Sequence, residues 1–368
     1  MLLLAVRNLL QEKGRLLISI GGVAFSVLLI LILQGLYQGW SNRMGEYIRN
    51  LPADLWVGQA GSRDMFHSVS ILSLSDQDKL LKVAGVKQVA PFVGRQMEAH
   101  INGKEAPTYV VAYDVGSGII GPLKVVEGSS RPGRGEIIID RVYAKNQRLK
   151  IGDKVPIAET SFTVSGIAEG GNLVLYQYSF INQQDAEELF KLEDAANYFL
   201  VQLDASANRQ AVAETIKAKL AGVEVFSKDE FVKNNTQLIN EAFLPIILVL
   251  VIIGLVVGTT VIGLTIFTST IEKTREYGVL KAIGIKNRQL NGVVFTQALV
   301  ASSAGYQLGL GLAVLVSVTV VRLVPEFITQ LRGLDAAWVF GASLIMALLA
   351  SYMPIRRIAK IDPAEVFK

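Results

Sequence analysis

Four stretches of this chain carry no charged side chain: residues 16–42, 242–271, 289–321 and 336–355. Such runs leave few folding options. A helix crosses the hydrocarbon of a bilayer with roughly 20 apolar residues, and it satisfies its own backbone there. Each run is long enough to span, the last only just. Yet 18% of the 368 residues are charged, against 51% hydrophobic, so the chain reads as spans plus a water-soluble part. The first run has a basic front in Arg7, Lys13 and Arg15, as a secretory signal would. Its apolar core far exceeds the ~7–15 residues of such a signal. No small-x-small cleavage site follows before Trp40, so an uncleaved anchor is expected.

Charge predicts the orientation. The short segments 1–15, 272–288 and 356–368 together hold 12 Lys/Arg against 5 Asp/Glu. The loop 322–335 is balanced, and the long segment 43–241 holds 22 basic and 25 acidic residues. An excess of basic residues in short loops marks the cytoplasmic side. Both termini and the 272–288 loop are therefore expected in the cytoplasm, with the long segment translocated. The basic residues flank spans and form no continuous face, which argues against nucleic-acid binding.

The expected fold class is an α-helical membrane protein with four transmembrane helices and a large α+β extracytoplasmic domain inserted between helices 1 and 2. Its segments are an amphipathic cytoplasmic helix (1–15), helix 1 with an outward stalk (16–50), the α+β domain (51–230), and a stalk with helix 2 (231–271). A cytoplasmic helix (272–288), helix 3 (289–321), a short outer loop (322–335), helix 4 (336–355) and a cytoplasmic tail (356–368) complete it. Within the domain, Ser75 is expected to cap a helix, and Asn102-Gly103 to turn a hairpin. Glycine pairs at four-residue spacing, Gly35/Gly39, Gly254/Gly258 and Gly305/Gly309, suit close helix packing or dimer contact in lipid.

Chemistry is hard to find. There is no cysteine, and the two histidines, His67 and His100, have no metal-ligand spacing. The segment 128–135 (Gly-Ser-Ser-Arg-Pro-Gly-Arg-Gly) lacks the Lys-Ser/Thr pair of a phosphate-binding loop. No charge inside a span marks an ion path.

The loop 272–288 is richer than a connection requires. Glu272 and Glu276 open a helix and Lys281 closes it, which suits the helix dipole. Tyr277, Leu280 and Ile283 recur at three-residue spacing as one apolar face; Gly284 is a natural stop and Asn287 a natural cap for the next helix. A surface helix of about three turns is expected. The alternative is a solvated linker whose apolar stripe rests on lipid headgroups, although a linker needs no such defined helix. In the tail, Asp362-Pro363-Ala364-Glu365 has the order of a helix start, and Arg356-Arg357 suit a membrane-flanking anchor.

The run Glu272-Lys-Thr-Arg-Glu-Tyr-Gly-Val-Leu-Lys-Ala-Ile-Gly284 resembles the cytoplasmic coupling helix of the MacB/FtsX-like permeases of ABC transporters. The tail from Pro354 to Glu365 is similar to that family's terminal motif, and Ala5-Val-Arg-Asn-Leu9 to its amphipathic start. The stretch 50–57 (Asn-Leu-Pro-Ala-Asp-Leu-Trp-Val) resembles the domain entry of DevC-type exporter permeases, and haem-export permeases share the build. The resemblance implies a MacB-like periplasmic core domain and a multi-pass protein of the bacterial cytoplasmic membrane. It implies a homodimer working with two copies of a separate cytoplasmic ABC ATPase, and leaves room for a periplasmic adaptor protein. No cofactor is expected in this chain; ATP-Mg belongs to the ATPase, and haem enters only as a candidate substrate.

The implied activity is mechanotransmission rather than catalysis: ATPase closure drives the loop, and the stroke reaches the outer domain to move a hydrophobic or amphipathic substrate. The residues expected to meet the ATPase are Glu272, Arg275, Glu276, Tyr277, Leu280, Lys281 and Gly284. Arg275 and Lys281 would pair with acidic groups, while Tyr277 and Leu280 would fill an apolar groove. Met44, Glu46 and Tyr47, where the first span leaves the membrane, are candidate substrate ligands, since Tyr can bind haem iron; the alternative is ordinary stalk residues. Another reading of the same build is a signalling permease, FtsX-like, that activates an extracellular hydrolase or reports a ligand. A membrane-anchored enzyme is the third.

Overall fold

A computed structural model describes residues 11–66, 69–113, 116–173, 176–192, 194–323 and 327–361. The expected start motif at 5–9, His67 and the helix start at 362–365 lie outside them. Four described helices are long and apolar enough to cross a membrane: α1 (Lys13–Asn50), the latter part of α6 (Lys228–Glu272), α8 (Asn287–Leu323) and α9 (Gly333–Ala359). Between α6 and α8 lies the short helix α7 (Thr274–Ala282). The chain divides into two compact units, Met1–Gly39 with Ala242–Lys368, and Trp40–Glu241.

The first unit is built on small-residue packing. Val23, Val27 and Ile30 of α1, Ile262 and Ile266 of α6, Val294 and Ala298 of α8, and Met346 and Ala350 of α9 share one buried cluster. Gly305 and Gly309 of α8 sit against α1: an added Cβ would lie 2.5 Å from Val23 Cβ and 2.6 Å from the Ala24 carbonyl oxygen. Backbones this close need glycine. Gly254 and Gly258 face Ile30 and Ser26 of the same helix, and Gly35 faces Leu331. Packing within the chain thus occupies all three glycine spacings. Hydroxyls between these helices return to backbone: the buried Ser302 donates to the Ser343 carbonyl (2.6 Å) and the half-buried Tyr306 to that of Ala336 (2.9 Å). In lipid, unmade bonds of this kind are costly.

The second unit is α+β. Its strands are β1 (Leu55–Gln59), β2 (Leu72–Ser73), β3 (Val86–Phe92), β4 (Gly94–Ile101), β5 (Lys104–Tyr113), β6 (Lys124–Gly128), β7 (Glu136–Asp140), β8 (Lys154–Ile157), β9 (Thr160–Glu169), β10 (Tyr178–Asn182), β11 (Ala195–Ala196), β12 (Tyr198–Leu203) and β13 (Val223–Ser227). Helices α2 (Asp76–Leu81), α3 (Arg141–Gln147), α4 (Gln183–Phe190) and α5 (Arg209–Lys219) complete it. One sheet is four-stranded and antiparallel, in the order β13-β1-β12-β3. The other is seven-stranded and mixed, in the order β6-β9-β7-β10-β5-β4-β8. Strand β8 also pairs with β9, so this sheet curls back on itself and shields an edge. The chain passes from the first sheet to the second at Val93, between β3 and β4.

Local chemistry explains several turns. Asn102 and Gly103 take φ of 53° and 75°, the pair of left-handed residues a two-residue hairpin requires. Asp140, Asn182 and Asn208 cap α3, α4 and α5 through side-chain oxygens. Ser75 does not cap α2. It is already helical, at φ −60° and ψ −19°, and its hydroxyl pairs with that of Ser73 at 2.9 Å. The core runs between the sheets, with Val57, Val89, Ile101, Val110, Ile139, Phe162, Phe199 and Ile216 all buried. Trp56 stacks on Phe231 at the start of α6, ring centroids 4.4 Å apart.

Candidate coupling site

A single residue, Lys273, separates α6 from α7. The backbone nearly continues through it, since Lys273 N–H donates to Ser269 and Tyr277 N–H to Lys273. Helix α7 spans two and a half turns, shorter than the three expected. It ends in a Schellman closure: Gly284 N–H bonds the Lys281 carbonyl, and Ile285 N–H bonds that of Leu280, each at 3.0 Å. Gly284 has φ +96°, a conformation that suits glycine and strains other residues. The next helix is not capped by Asn287, which is already its first residue. Lys286 precedes it, and its N–H donates to the Gln289 side-chain oxygen at 3.1 Å.

Three of the expected contact residues are committed inside the chain. Glu272 takes both arms of the Arg15 guanidinium, at 2.6 and 2.5 Å. Arg15 also holds Glu12 at 2.9 Å, and Glu12 accepts from Ser269 at 3.0 Å. The Lys273 ammonium lies 3.1 Å from Glu12 as an ion pair without an aligned hydrogen bond. Burial works against the Glu12 carboxylate, but these donors outweigh it and hold its pKa below the usual value. Lys281 points its ammonium at three carbonyls at the end of α9: Ile358 (2.7 Å), Ile361 (3.1 Å) and Ala359 (3.2 Å). These are the carbonyls a helix leaves unpaired at its C-terminus, and a cation there also meets the negative end of the dipole. Tyr277 is buried in the cluster of the four spans, which pushes its pKa up to about 12 and keeps it neutral.

The apolar face is therefore not the expected one. Tyr277 and Leu280 turn inward, against the cluster. Val279 and Ile283, four residues apart, are 40% and 71% exposed. Arg275 and Glu276 are exposed beside them, as is Gly284. Helix α7 thus offers a mixed strip of two aliphatic side chains flanked by one cation and one anion. It is braced beneath by α1 at one end and α9 at the other.

Met44, Glu46 and Tyr47 belong to the other unit and do not form one site. Met44 and Tyr47 are buried. The Tyr47 hydroxyl donates to the Gly121 carbonyl at 3.1 Å, and its ring packs 4.3 Å from that of Tyr178. Glu46 pairs with Arg43 at 2.5 Å. Among the described residues no group of three metal-ligating side chains converges.

The family model for the MacB-like periplasmic core domain matches residues 16–219, and that for the FtsX-like permease C-terminal region matches residues 244–363. The chain belongs to the MacB/FtsX-like permeases of ABC transporters. Among its relatives in that family is a putative hemin transport system permease, HrtB, of Staphylococcus haemolyticus, 24% identical over 92% of this chain and 91% of the relative. An uncharacterized ABC transporter permease of Mycobacterium tuberculosis is 23% identical over 100% of this chain and 99% of its own length. The macrolide export ATP-binding/permease protein MacB of Escherichia coli is 20% identical over 98% of this chain but 59% of its own length. The MacB/FtsX-like assignment makes this a multi-pass membrane protein of an ABC system, with the α+β unit as its periplasmic core domain.

The brace is not legible in the sequence because Glu272 lies 257 positions from Arg15. The one signal was that Glu12 and Arg15 adjoin the first span as an i,i+3 pair.

Proposed function

We propose that this protein is the permease subunit of an ABC-type exporter. A separate cytoplasmic ATPase would drive it through α7, and the stroke would pass along the helices to the periplasmic core domain and move a hydrophobic or amphipathic substrate. The observation that carries this reading is the two-sided character of α7. Its outer strip (Arg275, Glu276, Val279, Ile283) is exposed, while Glu272, Tyr277 and Lys281 tie it to the spans. A lever needs both a free surface to be pushed and a stiff attachment that passes the push on.

The charge distribution supports placing α7 and both termini in the cytoplasm. Two chains would then present two α7 helices to two ATPase subunits, and ATP-Mg would be bound and hydrolysed there. The periplasmic core domain would be the surface open to an adaptor. The name of the Staphylococcus relative makes haem one substrate to try, and a Soret shift with added haemin tests that directly.

The test of the coupling surface is to replace Val279 and Ile283 by Glu, singly and together, and to capture the ATPase from native membranes with the tagged permease. Both side chains are exposed, so insertion is expected to persist. The double variant should lose at least tenfold of the captured ATPase. Undiminished capture would overturn the assignment of α7 as the coupling surface.

A further inference from the structure

The periplasmic core domain holds a cavity that coupling leaves unused. Its volume is 590 Å³, within the range of small-molecule sites. It opens at the seam of the two sheets, with Tyr109 from the seven-stranded sheet, and Phe66 and Tyr176 from the connecting segments. The walls are aromatic: Phe66 meets Tyr109 edge-on, centroids 5.8 Å apart, and Tyr109 meets Tyr178 likewise at 5.4 Å. Burial raises the Tyr109 hydroxyl pKa far above its ordinary value, so the floor stays neutral.

Two features of the rim point to an occupant. Val69 and Ile71, 76% and 54% exposed, are the two most exposed large aliphatics among the described residues of the domain. Apolar groups exposed side by side at a concave mouth cost free energy unless something covers them. Beside them stands Arg95, exposed, with its guanidinium bonded only weakly, at 3.5 Å, to the Phe190 carbonyl. Arg134, Arg141 and Arg209 each pair with a carboxylate, whereas Arg95, like Arg131 and Arg148, has no described carboxylate within ion-pair distance, and of these three it alone lines the cavity. An apolar, aromatic-walled cavity with one unopposed cation at its mouth suits an amphipathic molecule bearing one negative charge. A cationic amphiphile would meet repulsion there.

We propose that this cavity binds a small amphipathic anion, its apolar body against Phe66, Tyr109 and Tyr176 and its acidic group on Arg95. As a station for cargo the site rests on the export reading. As a binding site it does not, and the experiment below needs no ATPase. Trp56 lies 5.9 Å from Tyr198, which also lines the cavity, so indole emission is placed to report a bound pyrene by energy transfer.

The full chain in lipid nanodiscs is titrated with 1-pyrenebutyrate, and with 1-pyrenemethylammonium as the cationic match. A saturable transfer signal is expected for the anion above the linear background of bilayer partition, and none for the cation. Arg95→Glu and Ile71→Glu should each weaken the anion at least tenfold, while Arg95→Lys should retain most of the affinity. Both positions are exposed at the surface, so the fold is expected to persist, checked by circular dichroism. Equal binding of cation and anion, an unchanged titration in Arg95→Glu, or partition without saturation would each overturn the site. Loss of α7 coupling in the Val279 and Ile283 variants leaves this titration untouched, which separates the two proposals.

Discussion

Lys281 illustrates how one side chain serves two helices. It sits near the end of α7, where a cation suits that helix's dipole, yet its ammonium is spent on the last carbonyls of α9. Charge-assisted bonds of this kind contribute roughly 1.5–3 kcal/mol where they are sheltered, and less here because the site is partly open to solvent. Lys281→Met should therefore leave the protein inserted but free the end of α9. Hydrogen exchange at the amides of Lys360 and Ile361 should rise at least several-fold, with ATPase capture retained; unchanged exchange would argue against the cap. Gly284→Ala should cost about 1–2 kcal/mol, because φ of +96° strains any side chain, and thermal unfolding in detergent reads that loss. In the domain, Asp140 caps α3 and also accepts from Gly171 N–H, but burial dominates and lifts its pKa to about 6 from an ordinary 3.8. The folded state then holds a proton that the unfolded state releases. Stability should fall as pH rises from about 4 to about 6, and Asp140→Asn should flatten that slope. A midpoint that rises over the same window in the parent protein would contradict this.

At the scale of elements, the ends of α7 decide what it can do. The Glu12–Arg15–Glu272 brace fastens its start to α1, and Lys281 fastens its end to α9. Under the proposed coupling, a push on the outer strip would load three spans and not α6 alone. Arg15→Ala removes partners from Glu12 and Glu272 together. It is expected to uncouple ATP hydrolysis from transport while the ATPase stays bound; full coupling would show that α6 alone carries the stroke. Helix packing is equally specific. Gly309→Leu places a side chain where the Ala24 carbonyl and Val27 already stand. Overpacking of this kind costs about 1–3 kcal/mol, and a lowered thermal midpoint measures it.

Taken as a whole molecule, the chain lacks cysteine, so single cysteines can be introduced without background. With the proposed orientation, cysteine at Arg275 should react with an impermeant maleimide only after the cytoplasmic face is opened, and cysteine at Glu127 from the outside of intact cells. The reverse pattern would invert the topology. The amount of fold legible in the sequence differs sharply between the units. Four charge-free runs name the spans, because hydrocarbon excludes charge wherever it is met. In the domain, the Asn102-Gly103 hairpin was also legible, since turn chemistry is local. Strand β10 was not: it is buried between β5 and β7, with Ser179 as sheltered as Phe180, and its place in the sheet rests on pairing with residues far away in the chain.

The α7 segment shows the same division at closer range. By itself the sequence determined that a short helix stopped by Gly284 follows the second span, because dipole charges and a left-handed stop act within a few residues. It also determined the four spans and the family, both carried by contiguous residues. Which stripe of that helix faces outward was decided only by tertiary structure. Tyr277 with Leu280 and Val279 with Ile283 are both apolar pairs at helical spacing, and nothing local ranks them. Burial against Leu290 and Ile358, on helices that start later in the chain, takes the first pair inward and leaves the second exposed. The same long-range packing converts Glu272 and Lys281 from expected contacts with a partner into fastenings of the chain to itself.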